Sequence, residues 1–247
     1  MRPLVFLHGA AGLQPGDPLV AGLAARYELF TPLTPGLVEP ADLDAIRDIH
    51  ELAFHYDELL EAHGLDGVAV VGHSFGAMVG AELAAHVPSR VAKLVLLAPL
   101  GLWNDCYPTA DLFAIPPAEM NAHLWGDPAS PPAQAAGAVL ESVDGFAGGD
   151  LEASIDLVVG MAQAMAAAAK FIWPIPDKGL ARRLHRIRAS SLVVWGGSDR
   201  VASPRYCDDF VAGIPQARGE VLEGAGHMLP FERPAELLAL IDDFVGT

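Results

Sequence analysis

A run of branched and small apolar residues, 68–71, ends in Gly72-His73-Ser74-Phe75-Gly76 and opens directly into a helical stretch, 77–86. A Gly-x-Ser-x-Gly pentapeptide between a strand and a helix constrains the fold tightly. The serine must sit in a sharp, strained turn, and its neighbours must be small for the backbone to fold back on itself. Gly72 and Gly76 supply that room. The turn carries the hydroxyl above the carboxyl ends of the strands, and the N-terminus of the next helix offers backbone N–H groups to a developing negative charge. Ser74 is therefore a candidate nucleophile.

The rest of the first half alternates short apolar runs with longer helical patterns, the mark of βαβ units and a parallel sheet. Strands are expected at 4–7, 27–31, 68–71 and 91–98, and helices at 19–26, 42–63 and 77–86. The 42–63 helix rests on an apolar stripe through Leu43, Ile46, Ile49, Ala53, Tyr56, Leu59 and Leu60. The pattern then breaks. From Leu100 to about Leu180 no strand-like run occurs, while prolines and scattered aromatics abound. We read this as an inserted helical region, 101–188, within a core made of 1–100 and 189–247. The alternation resumes with strands at 191–195 and 219–222 and helices at 204–212 and 234–245. Insertions in α/β folds sit over the carboxyl ends of the strands, where ligands bind, so the insert is expected to be a lid.

With 247 residues and 52% hydrophobic content, the chain can bury a full core. The formal net charge of −16, with no basic cluster, argues against nucleic acid as a partner. No stretch reads as a membrane span of roughly 20 apolar residues, and the start of the chain lacks the features of a signal peptide. The expectation is a cytoplasmic protein with a small-molecule substrate, no membrane partner, and room for a homodimer. Cys106 and Cys207 are far apart and in no metal-ligand spacing, so both are expected to be free thiols.

A serine nucleophile needs a base to take its proton and an acid to orient that base. In a fold of this kind the chain order is Ser, acid, His. Asp199, in Trp195-Gly196-Gly197-Ser198-Asp199, follows the strand after the insert, and His227 lies in the glycine-rich loop after the last strand. Asp208 and Asp209 are rivals for the acid, but they fall inside the next helix and are expected to face water. The oxyanion needs two N–H donors, assigned to Phe75 and to Ala10 in the loop His8-Gly9-Ala10-Ala11-Gly12. His8 reads as a brace for that loop, and His73 as a packing or hydrogen-bonding residue. His50, His55, His63 and His86 lie on expected helices and are read as solvent-facing. None forms a metal pair on one helical face, so no metal and no cofactor is expected.

These residues together have a family likeness. His8-Gly9, Gly72-His73-Ser74-Phe75-Gly76, Leu96-Leu97-Ala98-Pro99, Trp195-Gly196-x-x-Asp199 and Gly226-His227-x-x-x-x-Glu232-x-Pro234 resemble the α/β-hydrolase superfamily over nearly the whole chain outside the insert. The resemblance implies a Ser74–Asp199–His227 triad, an oxyanion hole at Ala10 and Phe75, and a helical cap for the insert. Two departures matter. The family usually has a pair of strands before the His-Gly loop, whereas here the first strand begins almost at Met1. The α/β sheet should then be mostly parallel, with about six strands flanked by helices and the 27–31 strand at an edge blunted by Pro32 and Pro35. Relatives that open epoxides or displace halide use an aspartate nucleophile, and this chain has Ser74.

Within 101–180 the acidic residues include Asp105, Asp111, Glu119, Asp127, Glu141 and Asp156, while the only cations are Lys170 and Lys178. That is a poor grip for a carboxylate-bearing substrate. Trp103, Trp125 and Trp173 are the expected pocket aromatics, with Tyr107, Phe113, Met161 and Phe171 as further apolar surface. The resulting expectation is a cofactor-free serine hydrolase of a neutral, partly apolar carboxylic ester. The alternatives are a carbon–carbon bond hydrolase of meta-cleavage type, a perhydrolase, and a non-catalytic ligand receptor.

Overall fold

The computed structural model describes residues 1–141 and 151–246, so part of the insert, 142–150, lies outside the described residues. The apolar runs become strands, in chain order β1 (Pro3–Leu7), β2 (Glu28–Phe30), β3 (Val68–His73), β4 (Val91–Leu97), β5 (Ser190–Gly196) and β6 (Ala217–Leu222). They form one six-stranded sheet in the order β2-β1-β3-β4-β5-β6, every pair parallel. β3 lies near the middle and is buried along its whole length, as a strand covered on both faces must be. The two edges are handled differently. β2 is three residues long and is followed by Pro32, whereas β6 carries Arg218 and Glu220 on exposed positions. Short length, proline and charge each discourage pairing with another chain.

The core helices are α1 (Pro18–Ala24), α2 (Pro40–Asp44), α3 (Ile49–Ala62) and α4 (Phe75–His86). Between β4 and β5 come α5 (Pro117–Leu124), α6 (Pro131–Glu141) and α7 (Leu151–Ile172), and after β5 come α8 (Tyr206–Gly213), α9 (Leu229–Glu232) and α10 (Pro234–Gly246). The single helix expected over 42–63 is in fact two. Asp48 adopts an extended backbone, and its carboxylate accepts hydrogen bonds from the backbone N–H groups of His50 and Glu51. A side-chain cap of this kind starts a new helix more favourably than it continues an old one, and it is worth about 1 kcal/mol.

α4 is buried on nearly every side, packed against α3 and against β3 and β4. Its one acidic residue, Glu82, is fully buried and paired with Arg183, which lies between two short 3-10 turns leading into β5. That buried ion pair fastens the returning end of the insert to the core. α7 is fastened at its last turns: Ala164, Ala167, Ala168, Phe171 and Ile172 are buried, and the Phe171 ring stacks on Phe75 with centroids 6.0 Å apart. This helix corrects one expectation. Its 18 residues Ile155–Ile172 are long and apolar enough, by length and composition, to cross a membrane. Ile155, Leu157, Val158, Val159 and Ile172 supply most of that character, with alanines filling the rest of the helix.

Candidate active site

Ser74 joins β3 to α4 with φ 54° and ψ −114°, a left-handed backbone that costs a non-glycine residue on the order of 1–3 kcal/mol. The surroundings hold it there: Ser74 N–H donates to Leu97 O at 2.8 Å, and its own carbonyl accepts from Met78 and Leu100. The flanking glycines are required by contact. A Cβ on Gly72 would come within 2.6 Å of the Ala77 Cα, and one on Gly76 within 2.1 Å of the Leu7 carbonyl oxygen. The elbow can therefore close only against the end of β1, which brings the loop after β1 beside Ser74.

Three sequence-distant side chains meet here. Ser74 Oγ lies 2.8 Å from His227 Nε2, and His227 Nδ1 lies 2.8 Å from Asp199 Oδ2. All three are buried. Asp199 is oriented by its other oxygen, which accepts the backbone N–H groups of Val201 at 2.8 Å and Ala202 at 3.0 Å. Oδ2 is left for the imidazole. Because a carboxylate oxygen only accepts, Nδ1 donates and Nε2 is free to accept the serine proton. The rivals stand elsewhere on α8: Asp208 is exposed, and Asp209 is half-buried and accepts the Tyr107 hydroxyl at 2.7 Å.

His227 is positioned through its backbone by groups that composition alone did not single out. Its N–H donates to Leu124 O at 2.8 Å, at the end of α5, and its carbonyl lies 2.8 Å from His73 Nε2. Glu232 spans the same junction, one oxygen accepting Gly226 N–H and the other Gly126 N–H, each at 2.9 Å. Burial pushes the Glu232 carboxyl up from its ordinary value, against the pull of those two amides. Desolvation is also the main reason His73 is held down to about 3, with the neighbouring His227 adding to it. His73 is thus a neutral donor that grips the histidine loop.

His8 is buried and braces the loop after β1. Its Nε2 accepts the Thr34 backbone N–H at 3.1 Å, so Nδ1 carries the proton and donates to Gly9 O at 2.8 Å. Burial lowers its pKa below the ordinary histidine value. Ala10 follows on this loop and lines the cavity above Ser74. Phe75 is the first residue of α4, where backbone N–H groups have no partner within the helix. Both N–H groups thus belong to segments that border the serine.

The cavity has a volume of about 210 Å³ and is walled by Ser74, His227 and the β1 loop below, with Met120 and Leu124 of α5, Trp125 just after it, and Met161 and Met165 of α7 above. Among the described residues lining it there is no lysine or arginine. The one carboxylate among these described residues, Asp17, is occupied in capping α1 through the N–H groups of Leu19 and Val20. Of the three tryptophans expected at the pocket, only Trp125 lines this cavity. Trp103 borders a separate, smaller cavity of about 60 Å³ and donates its indole N–H to Asp105, and Trp173 is 55% exposed. α7 ends at Ile172, so the chain turns inward at Phe171 and Ile172 and leaves Trp173 outside. The methionines take the place of the missing aromatics, and unbranched thioethers adapt readily to irregular ligands.

Of the four histidines read as solvent-facing, His63 is exposed, and the other three need correction. His50 and His86 are half-buried and face each other across α3 and α4. Cys106 is exposed and Cys207 buried, each a free thiol.

Sheet order, elbow and the Ser-Asp-His order define a class, and comparison with known proteins agrees with it. Residues 4–240 match the Alpha/beta hydrolase family, and the chain belongs to that family. It is similar to an uncharacterized protein of Mycobacterium tuberculosis, with 26% identity over 92% of this chain and 70% of the relative. It is also similar to the 2-hydroxy-6-oxo-6-phenylhexa-2,4-dienoate hydrolase of Comamonas testosteroni, 26% identical over 76% of this chain and 65% of that protein. Among solved structures, a putative lipase of Acinetobacter baumannii superposes with a TM-score of 0.74, covering 99% of this chain and 83% of that one at 19% identity.

Proposed function

We propose that the protein is a serine hydrolase that cleaves neutral, partly apolar carboxylic esters through an acyl-enzyme on Ser74. One observation carries this reading: the Ser74–His227–Asp199 chain of 2.8 Å contacts opens into an apolar cavity whose described lining offers no cation to a charged substrate. In the proposed cycle His227 Nε2 takes the Ser74 proton as Oγ attacks the ester carbonyl. The N–H groups of Ala10 and Phe75 receive the oxyanion, a donor being worth about 10²–10³ in rate where one has been removed. His227 then protonates the departing alcohol, deprotonates a water that attacks the acyl-enzyme, and the acid leaves with Ser74 restored. Asp199 keeps the imidazole in the tautomer this requires and stabilises it when charged.

The helices α5 to α7 act as a lid in this reading. They set the cavity ceiling and are joined to the histidine loop by Glu232 and Leu124. A carbon–carbon bond hydrolase is the second reading, favoured by the likeness to the dienoate hydrolase of Comamonas testosteroni. The cation-free lining weighs against it, since Arg183 is committed to Glu82. A panel of p-nitrophenyl esters of graded acyl length, run beside a dienoic acid of the meta-cleavage type, separates the two. Turnover of the esters with none of the acid supports the ester reading, and turnover of the acid alone overturns it.

A further inference from the structure

Away from the cavity, α3 and α4 bring together three groups that are separate in sequence. His50 Nδ1 lies 3.0 Å from His86 Nε2, and that nitrogen lies 3.6 Å from Glu82 Oε2. All three ligand atoms lie within 4.8 Å of one another. A hydrogen bond between the two rings accounts for the first distance. The second is too long for a hydrogen bond but within ion-pair range of the same nitrogen. The two distances bracket about 3.3 Å, the spacing between donor atoms around a tetrahedral ion with bonds of about 2.0 Å.

The surroundings favour such a reading. Glu82 is fully buried, and Arg183 holds its carboxylate in one orientation through Nε to Oε2 at 2.9 Å and Nη2 to Oε1 at 2.6 Å. An outer partner that orients a ligand carboxylate is a usual part of a metal site. The Phe54 ring packs against His86 with centroids 5.3 Å apart and limits the freedom of that imidazole. Both imidazoles remain partly exposed, which leaves a route in and a position for water. The chain's formal charge of −16 raises the local concentration of cations, while the nearby Arg183 limits how tightly one is held.

We propose that His50, Glu82 and His86 form a binding site for a divalent transition metal of the zinc class, clipping α3 to α4. Two imidazoles and a carboxylate, with a fourth position open to water, is a ligand set that suits zinc and not calcium or magnesium. The metal stabilises the packing of the two helices and takes no part in hydrolysis, since Glu82 and His86 lie two to three turns down α4 from Ser74. The proposal is independent of the ester reading.

Zinc titrated into chelator-stripped protein, in competition with a chromogenic chelator of about micromolar affinity, tests it. We expect one bound equivalent in the wild type, at least about tenfold weaker binding in His50→Ala and in His86→Ala, and unchanged binding in His227→Ala. Zinc should also raise the wild-type Tm and leave that of the His50→Ala, His86→Ala double variant where it was. Cobalt(II) bound to the wild type should show the visible absorption of a four- or five-coordinate site, a readout that needs no variant. Failure of the wild type to compete for zinc, wild-type binding in both histidine variants, or loss of binding in His227→Ala overturns the proposal.

Discussion

His73 makes stability depend on pH in a way that can be worked out from its surroundings. Its imidazole is buried, donates Nε2–H to the His227 carbonyl at 2.8 Å, and is held at about 3 in the folded protein against 6.5 for the free side chain. Between those values the unfolded chain binds a proton that the folded chain refuses. The unfolded state therefore carries more protons, and stability falls as pH drops through 6.5 and is flat above it. Integrating between the two values, the His73 contribution to stability falls by roughly 2 kcal/mol from pH 7 to pH 5. His73→Gln keeps a donor near the His227 carbonyl but does not titrate. Urea unfolding of both proteins at pH 7, 6 and 5 isolates the effect, because every other titrating group, including His8, is common to the pair. The wild type should lose about 2 kcal/mol more than the variant over that range. Parallel losses, equal within about 0.5 kcal/mol, would refute the account of His73 as a buried neutral donor.

Asp199→Asn should lower turnover by about 10⁴ while Asp208→Asn leaves it within a factor of two or so, measured as kcat on one reactive ester; equal effects would mean the imidazole is oriented by another group. Gly76→Ala should destabilise by about 3 kcal/mol or more, because the new Cβ meets the Leu7 carbonyl oxygen at 2.1 Å and backbone cannot yield as a side-chain tip can. A Tm within a degree or two of wild type would contradict the tight elbow. Leu112 borders both the 210 Å³ and the 60 Å³ cavities, so Leu112→Ala should join them and shift preference toward longer acyl chains by about tenfold, and Trp173→Ala should leave the ranking as it was. The same rate ranking for all three proteins would remove Leu112 as the dividing wall.

Much of the fold was legible because its signals are local. Buried parallel strands read as continuous apolar runs, and the positions of Ser74, Asp199 and His227 follow from strand ends and glycine-rich loops that sequence displays directly. The edge position of β2 followed from the family likeness, with Pro32 and Pro35 expected to blunt it. What escaped depended on tertiary placement. The break before α3 turns on a single capping carboxylate, Asp48, inside an unbroken apolar stripe. The cavity ceiling turns on where α7 stops, which puts Trp173 outside and Met161 and Met165 within. The His50, Glu82 and His86 grouping spans two helices, so α3 alone shows only His50 and α4 alone only Glu82 and His86. Glu232 stood in a recognisable motif, but its bridging of Gly226 and Gly126 requires the insert to be folded.

The central claim is that Ser74 is the nucleophile, and covalent trapping tests it most directly. Protein treated with one equivalent of a small organophosphonate, then digested and mapped by mass spectrometry, should carry the adduct on Ser74 and lose ester hydrolysis in proportion to labelling. Ser74→Ala should take no label and fall in rate by about 10⁴ or more. An adduct at another residue, or full activity in protein labelled stoichiometrically at Ser74, would contradict the account.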